Sequence, residues 1–175
     1  SNGGGVLQEA VKTLALFLPA GSEVVSTRSS KSHVENKSYK TESKPIAPDI
    51  PRVVLTSNSS ASAAEIVAGA LQDHDRAVVV GQRTYGKGLV QGTRPLGYGS
   101  YLKYTTAKYY IPSGRCIQVV NYSKRRNDGS VESVPDSLIS EFKTRGGRKV
   151  YDGGGIVPDV RIEPQYVSRF ALTLY

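Results

Sequence analysis

Methionine and tryptophan are absent from this sequence of 175 residues, cysteine occurs once and histidine twice. A single cysteine cannot build an intrachain disulfide framework, so Cys116 reads as a small, buried strand residue. His33 and His74 are scattered and form no metal-binding pattern, so neither a metal nor another cofactor is called for. No apolar run is long enough to span a bilayer, and no signal peptide opens the chain. Acidic residues are few, 15 against 23 Lys and Arg, which leaves a net charge of +8. A surplus of that size raises nucleic acid as a partner. The basic residues are scattered, however, with Lys124-Arg125-Arg126 the only run, and the aromatics, mostly tyrosine, form no base-stacking motif. The charge reads as a solvated face.

What is present reads as one α/β domain with enough length for a sizeable core. Gly3-Gly4-Gly5 makes a tight turn into a helix over Val6–Leu18, with Leu7, Ala10, Val11, Leu14 and Leu18 on one face and Pro19 as its stop. Glu23–Thr27 reads as a strand. Ser29–Pro51 reads as a polar surface excursion with a short strand near Tyr39. Val53-Val54-Leu55 and Ala77–Val80 are β-branched runs and read as buried strands. Between them Asn58–Ala61 is a turn, and from Ser62 the residues Ile66, Val67, Ala70 and Leu71 recur at helical spacing. Leu89-Val90-Gln91 reads as a strand and Thr93–Ser100 as a glycine-containing turn. Tyr101–Ile111 alternates as a half-exposed strand, turned by Pro112-Ser113-Gly114 onto a hairpin partner at Cys116–Val120. Asn121–Ser133 reads as a charged loop, Asp136–Thr144 as a short helix and Gln165–Tyr175 as a final helix carrying Tyr166, Phe170 and Leu174. The chain opens at Ser1 without the strand expected before the glycine turn, so it reads as a single core domain cut from a longer protein, its last helix shortened.

Two short stretches carry chemistry. Ser62 sits at the mouth of a helix, where unpaired N–H groups and the positive dipole end favour an oxyanion. A serine there can act as a nucleophile if a base takes its proton, and the Ala63 N–H beside it is a candidate oxyanion donor. Ser62-x-x-Glu65 is equally a capping box, which leaves a plain helix cap open. Lys87 lies one strand later, between Gly86 and Gly88. A free lysine, with an ordinary pKa near ~10.4, needs burial to serve as a base at neutral pH. Gly81–Lys87 also satisfies the start of a phosphate-binding loop. Gly88 stands where Ser or Thr must follow, though, and a strand follows instead of a helix.

The text Ser60-Ala61-Ser62-Ala63-Ala64-Glu65-Ile66, then Arg76–Gly81, then Arg83-Thr84-Tyr85-Gly86-Lys87-Gly88 with Val90-Gln91, resembles the C-terminal (tail-specific) processing peptidases, which use a serine–lysine dyad. Lys87 falls 25 residues after Ser62, as in that family, and Gln91 four after the lysine. Ala64 stands where the family usually has a serine that is not the nucleophile. Thr105–Gly114 and Asp152–Val160 also resemble the family and read as fold-specifying turns. The resemblance implies a crotonase-like (ClpP/crotonase) peptidase core of ββα units with an additional β-hairpin. It implies Ser62 as nucleophile, Lys87 as general base and Gln91 as the residue that orients the lysine. Asn2–Gly5 resembles the stretch that gives a second oxyanion donor beside Ala63, Gly4 first and Gly3 next. It further implies polypeptide substrates with apolar C-termini, a PDZ module elsewhere in the full-length chain, and export to the periplasm or cell envelope. The alternative is the same fold with a silent dyad that only docks peptide ends. An acyl-transfer or CoA enzyme on that fold would keep the oxyanion hole but would not need the serine.

Overall fold

The computed structural model describes residues 2–30, 35–125, 131–133 and 135–163. Two helices, α1 (Leu7–Ala15) and α2 (Ala63–Asp73), pack on each other over an apolar seam. Leu14 and Leu18 are fully buried, with Leu7 and Val11 packed against the same cluster, so the apolar face read from the sequence is the face that turns inward. Ile66, Ala70 and Leu71 supply the α2 side of that cluster. Gly69 lets a second apolar cluster close onto α2: a Cβ there would lie 2.7 Å from Ile111 Cδ1 and 2.8 Å from Ile156 Cδ1.

Three strands, β3 (Val53–Thr56), β4 (Val78–Gly81) and β11 (Val160–Arg161), form a parallel sheet in the order β11-β4-β3. Val79 is fully buried on its inner face. The expectation that Val53-Val54-Leu55 and Ala77–Val80 are buried strands holds for that face alone. Val53 is 63% and Leu55 78% exposed, and Val78 is 45% exposed. The helices pack on one side of the sheet and β3 is its edge, so alternate residues point out.

The second sheet is antiparallel, ordered β2-β1-β6-β5, from β1 (Glu23–Arg28), β2 (Lys37–Lys40), β5 (Leu89–Gly97) and β6 (Ser100–Tyr110). The sequence places a turn at Thr93–Ser100 and pairs Tyr101–Ile111 with Cys116–Val120. The structure narrows that turn to Tyr98-Gly99, continues β5 to Gly97 and pairs it with β6, with Leu89 opposite Lys108 and Thr93 opposite Lys103. Among the described residues one bridge, Tyr110 to Cys116, joins β6 to the segment after Gly114. Pro95 falls inside this strand. It is tolerated because β5 is the sheet's edge strand, where a missing N–H costs no ladder bond.

Two further readings change. Within the span read as a charged loop, β7 (Val120–Arg125) and β8 (Val131–Ser133) pair antiparallel. In place of a helix over Asp136–Thr144 there is one 3₁₀ turn, Asp136–Leu138, followed by β9 (Glu141–Lys143) paired with β10 (Lys149–Tyr151). The helix read over Gln165–Tyr175 lies outside the described residues.

The C-terminal end of α2 is tied down by charge. Arg115, fully buried, donates to Asp73 Oδ1 at 2.9 Å and Gln72 Oε1 at 2.8 Å. The Ser113 N–H donates to Asp73 Oδ2 at 2.9 Å, and Gln72 reaches Asp159 Oδ1 at 3.0 Å. Burial pushes the Asp73 carboxyl above the usual carboxylate range, against the pull of Arg115 and the Ser113 N–H. Burial likewise lowers Arg115, against Asp73.

Candidate active site

Ser62 is the N-cap of α2 and has φ +58° and ψ −121°. An ordinary N-cap is extended. Residues bearing a side chain avoid the conformation found here, which costs of order 1–3 kcal/mol and persists only where the surroundings hold it. A sharp strand–turn–helix with its serine in such a conformation is the geometry of a nucleophile elbow. The turn after β3 therefore does more than start a helix.

Glu65 holds it. Its side chain is fully buried and accepts four hydrogen bonds: from Ser62 N–H at 2.7 Å and Lys87 N–H at 2.9 Å on Oε2, and from Gly86 N–H at 2.7 Å and Thr84 Oγ1 at 2.5 Å on Oε1. The capping-box reading of Glu65 is thus correct on the Ser62 side and incomplete. The same carboxylate anchors the loop that carries the lysine. Thr84 extends the chain of contacts by accepting the Ile156 N–H at 2.7 Å. Glycine permits the tight fit. A Cβ on Gly86 would lie 2.0 Å from Val119 Cγ2, and one on Gly155 would lie 2.7 Å from the Thr84 carbonyl oxygen. The Asp152–Val160 stretch is accordingly a fold-specifying turn that braces this loop.

Gly4 has φ +101°, and a Cβ there would lie 2.7 Å from Ser62 Cβ and 3.1 Å from the Ala63 nitrogen. The glycine turn thus meets the start of α2, fixed by the Ala61 N–H donating to the Asn2 carbonyl at 3.0 Å. The Gly4 N–H donates to Asn2 Oδ1 at 3.0 Å, while Gly3 has open space around it. As the first residue of α2, Ala63 has an N–H without a carbonyl one turn earlier.

Residues flanking Ser62 line two cavities. Ala63 and Gly4 line one of about 360 Å³. Ala61, Lys87 and Gln91 line the other, of about 520 Å³. The structure brings the Ser62 and Lys87 backbones to one carboxylate oxygen. No hydrogen bond joins their side chains, nor Gln91 to Lys87, among the described residues. Lys87 is half-buried and Gln91 exposed. One neighbour escaped the sequence reading. Tyr109 is buried, its phenol raised by burial and further by Tyr39, with the neighbouring Ser62 side chain pulling the other way. Its inward position beside Ala107 on an alternating strand was the available signal.

Comparison with known proteins decides the family. A model of peptidase family S41 matches residues 1–124, which include Ser62, Lys87 and Gln91. The chain belongs to peptidase family S41. A carboxy-terminal-processing protease of Bartonella bacilliformis is 46% identical over 119 residues, covering 67% of this chain and 26% of that protein. A probable CtpA-like serine protease of Staphylococcus epidermidis is 40% identical over 117 residues, covering 67% of this chain and 24% of its own length. This S41 chain therefore spans about a quarter of the relatives' length. The solved photosystem II D1 C-terminal processing protease matches 94% of the chain and 33% of its own, at 28% identity and a TM-score of 0.66.

Proposed function

We propose that this chain is the core of a serine endopeptidase that cleaves polypeptides near their C-termini, with Ser62 and Lys87 as its dyad. The observation that carries the reading is the strained Ser62 backbone at the head of α2, tied through one Glu65 oxygen to Lys87. Neutral Lys87 Nζ takes the Ser62 Oγ proton as Oγ bonds to the scissile carbonyl carbon. The N–H groups of Ala63 and Gly4, with Gly3 next, hold the resulting oxyanion. For Gly4 this requires Asn2 to give up its hydrogen bond. The C–N bond then breaks and the amine leaves with the proton held on Lys87. Water, losing a proton to Lys87, attacks the Ser62 ester; the acyl C–Oγ bond breaks, Lys87 returns the proton to Ser62 Oγ and the acid is freed. Gln91, sharing the cavity with Lys87, orients the amine without adding a negative charge.

The fold in this reading is the crotonase-like core. Substrates are unfolded polypeptides with apolar C-termini, presented by a PDZ module of the full-length chain, in the periplasm or cell envelope. The relatives' names and the family match support a serine protease that acts on C-termini. The test is hydrolysis of an unstructured polypeptide with an apolar C-terminus. The protein is expected to cleave it and Ser62→Ala to leave it intact; equal cleavage by Ser62→Ala would remove the serine from its role. Binding without cleavage by the unsubstituted protein would favour a peptide-docking module instead.

A further inference from the structure

The cavity beside the dyad holds a second lysine that the scheme above leaves unused. Besides Lys87 and Gln91 it is lined by Lys103, and among the described residues no aspartate or glutamate lines it. The sheet puts Lys103 there. On the β5–β6 ladder Gln91 stands opposite Thr105 and Thr93 opposite Lys103. Gln91 and Lys103 are therefore diagonal neighbours on one face, within reach of a long side chain. Lys103 is exposed, and no ion pair engages it among the described residues. A cleft that carries the Lys103 ammonium and, among the described residues, no carboxylate attracts an anionic group of its ligand.

We propose that Lys103 is a specificity-determining residue that takes a carboxylate of the bound polypeptide, next to the bond placed at Ser62. The proposal rests on the peptidase reading and adds the charge of the substrate to it. The carboxylate comes either from the substrate's C-terminus or from an acidic side chain near it. Both present the same pair of oxygens to an ammonium.

The experiment uses four forms of one unstructured polypeptide, with a free or amidated C-terminus and with Asp or Asn near it. Lys103→Met is expected to lower kcat/KM about tenfold on carboxylate forms, mainly through KM, as expected for one charge-assisted contact. The form without either carboxylate should lose far less, and Lys103→Arg should retain most of the preference. The amide arm and the Asn arm identify which carboxylate is read. Equal losses on all four forms, or none, would overturn the proposal while the peptidase reading stands. If no form is cleaved, that reading fails. Affinities of the same peptides for Ser62→Ala, with and without Lys103→Met, then decide the matter. Carboxylate-dependent weakening supports the subsite and uniform affinity overturns it.

Discussion

Ser62 and Lys87 share one acceptor: their backbone N–H groups donate to the same oxygen of Glu65, at 2.7 and 2.9 Å. The turn that carries Ser62 and the loop that carries Lys87, from different parts of the chain, are thereby held to one point on a helix.

Replacing Glu65 tests that coupling. In Glu65→Gln the amide presents donors where two of the four contacts bring donors of their own. A stability loss of about 2–4 kcal/mol is expected in urea denaturation, from buried groups left unpaired. Hydrolysis by the fraction still folded should fall as well. A loss under about 1 kcal/mol would mean the loop is held by other contacts.

The two glycine positions separate geometry from proximity. Gly4→Ala puts a Cβ against Ser62 at a positive φ, so it should cut kcat by at least about 10²-fold, the scale of a lost oxyanion donor. Gly3→Ala, with nothing nearby, should stay within a few-fold. The reverse order would move the oxyanion donor to Gly3.

Side-chain roles divide between Lys87 and Gln91. Lys87→Ala should abolish turnover with the fold intact, because the loop is held by backbone contacts. Gln91→Ala should cost about tenfold or less, since Gln91 is exposed and not hydrogen-bonded to Lys87. Steady-state kinetics with circular dichroism of each variant is the check.

The buried pair below the site bears on stability. Arg115→Met leaves Asp73 uncompensated in the interior and should cost about 3–5 kcal/mol in denaturant titration. Asp73→Leu combined with Arg115→Met should recover part of that loss. No recovery would locate the cost in packing rather than charge.

Acid stability follows from Asp75. Burial opposes its ionisation, but Arg148, Gly146 N–H and Thr144 outweigh it and hold the carboxyl below the usual range. A depressed folded pKa adds stability that is present above the unfolded value, near ~3.9, and is lost as pH falls through the folded one. Unfolding against pH should therefore steepen below about 4, and Asp75→Asn should flatten that limb.

Much of the frame was legible before the structure. Leu7, Leu14, Ile66 and Leu71 recur at helical spacing, and the runs at Val53 and Val78 form strands where expected. These are local properties, since a repeat of polar and apolar residues already dictates which face turns inward. The turn between β5 and β6 was drawn too wide because its glycines mark a turn locally, whereas the sheet edge that lets the strand run on through Pro95 is a tertiary fact. The β9–β10 pair was missed because its contacts join short segments whose own preference is weak.

The sequence by itself determined the family motif, the start of α2 at Ser62 and the glycine-flanked lysine, because each depends on residue types at short spacing. Only the tertiary structure decided what Glu65 does, that Tyr109 stands beside Ser62, and that Lys103 shares a cavity with Lys87. These relationships join residues far apart in the chain. A buried carboxylate or a strand register selects its partners only after the apolar faces have packed.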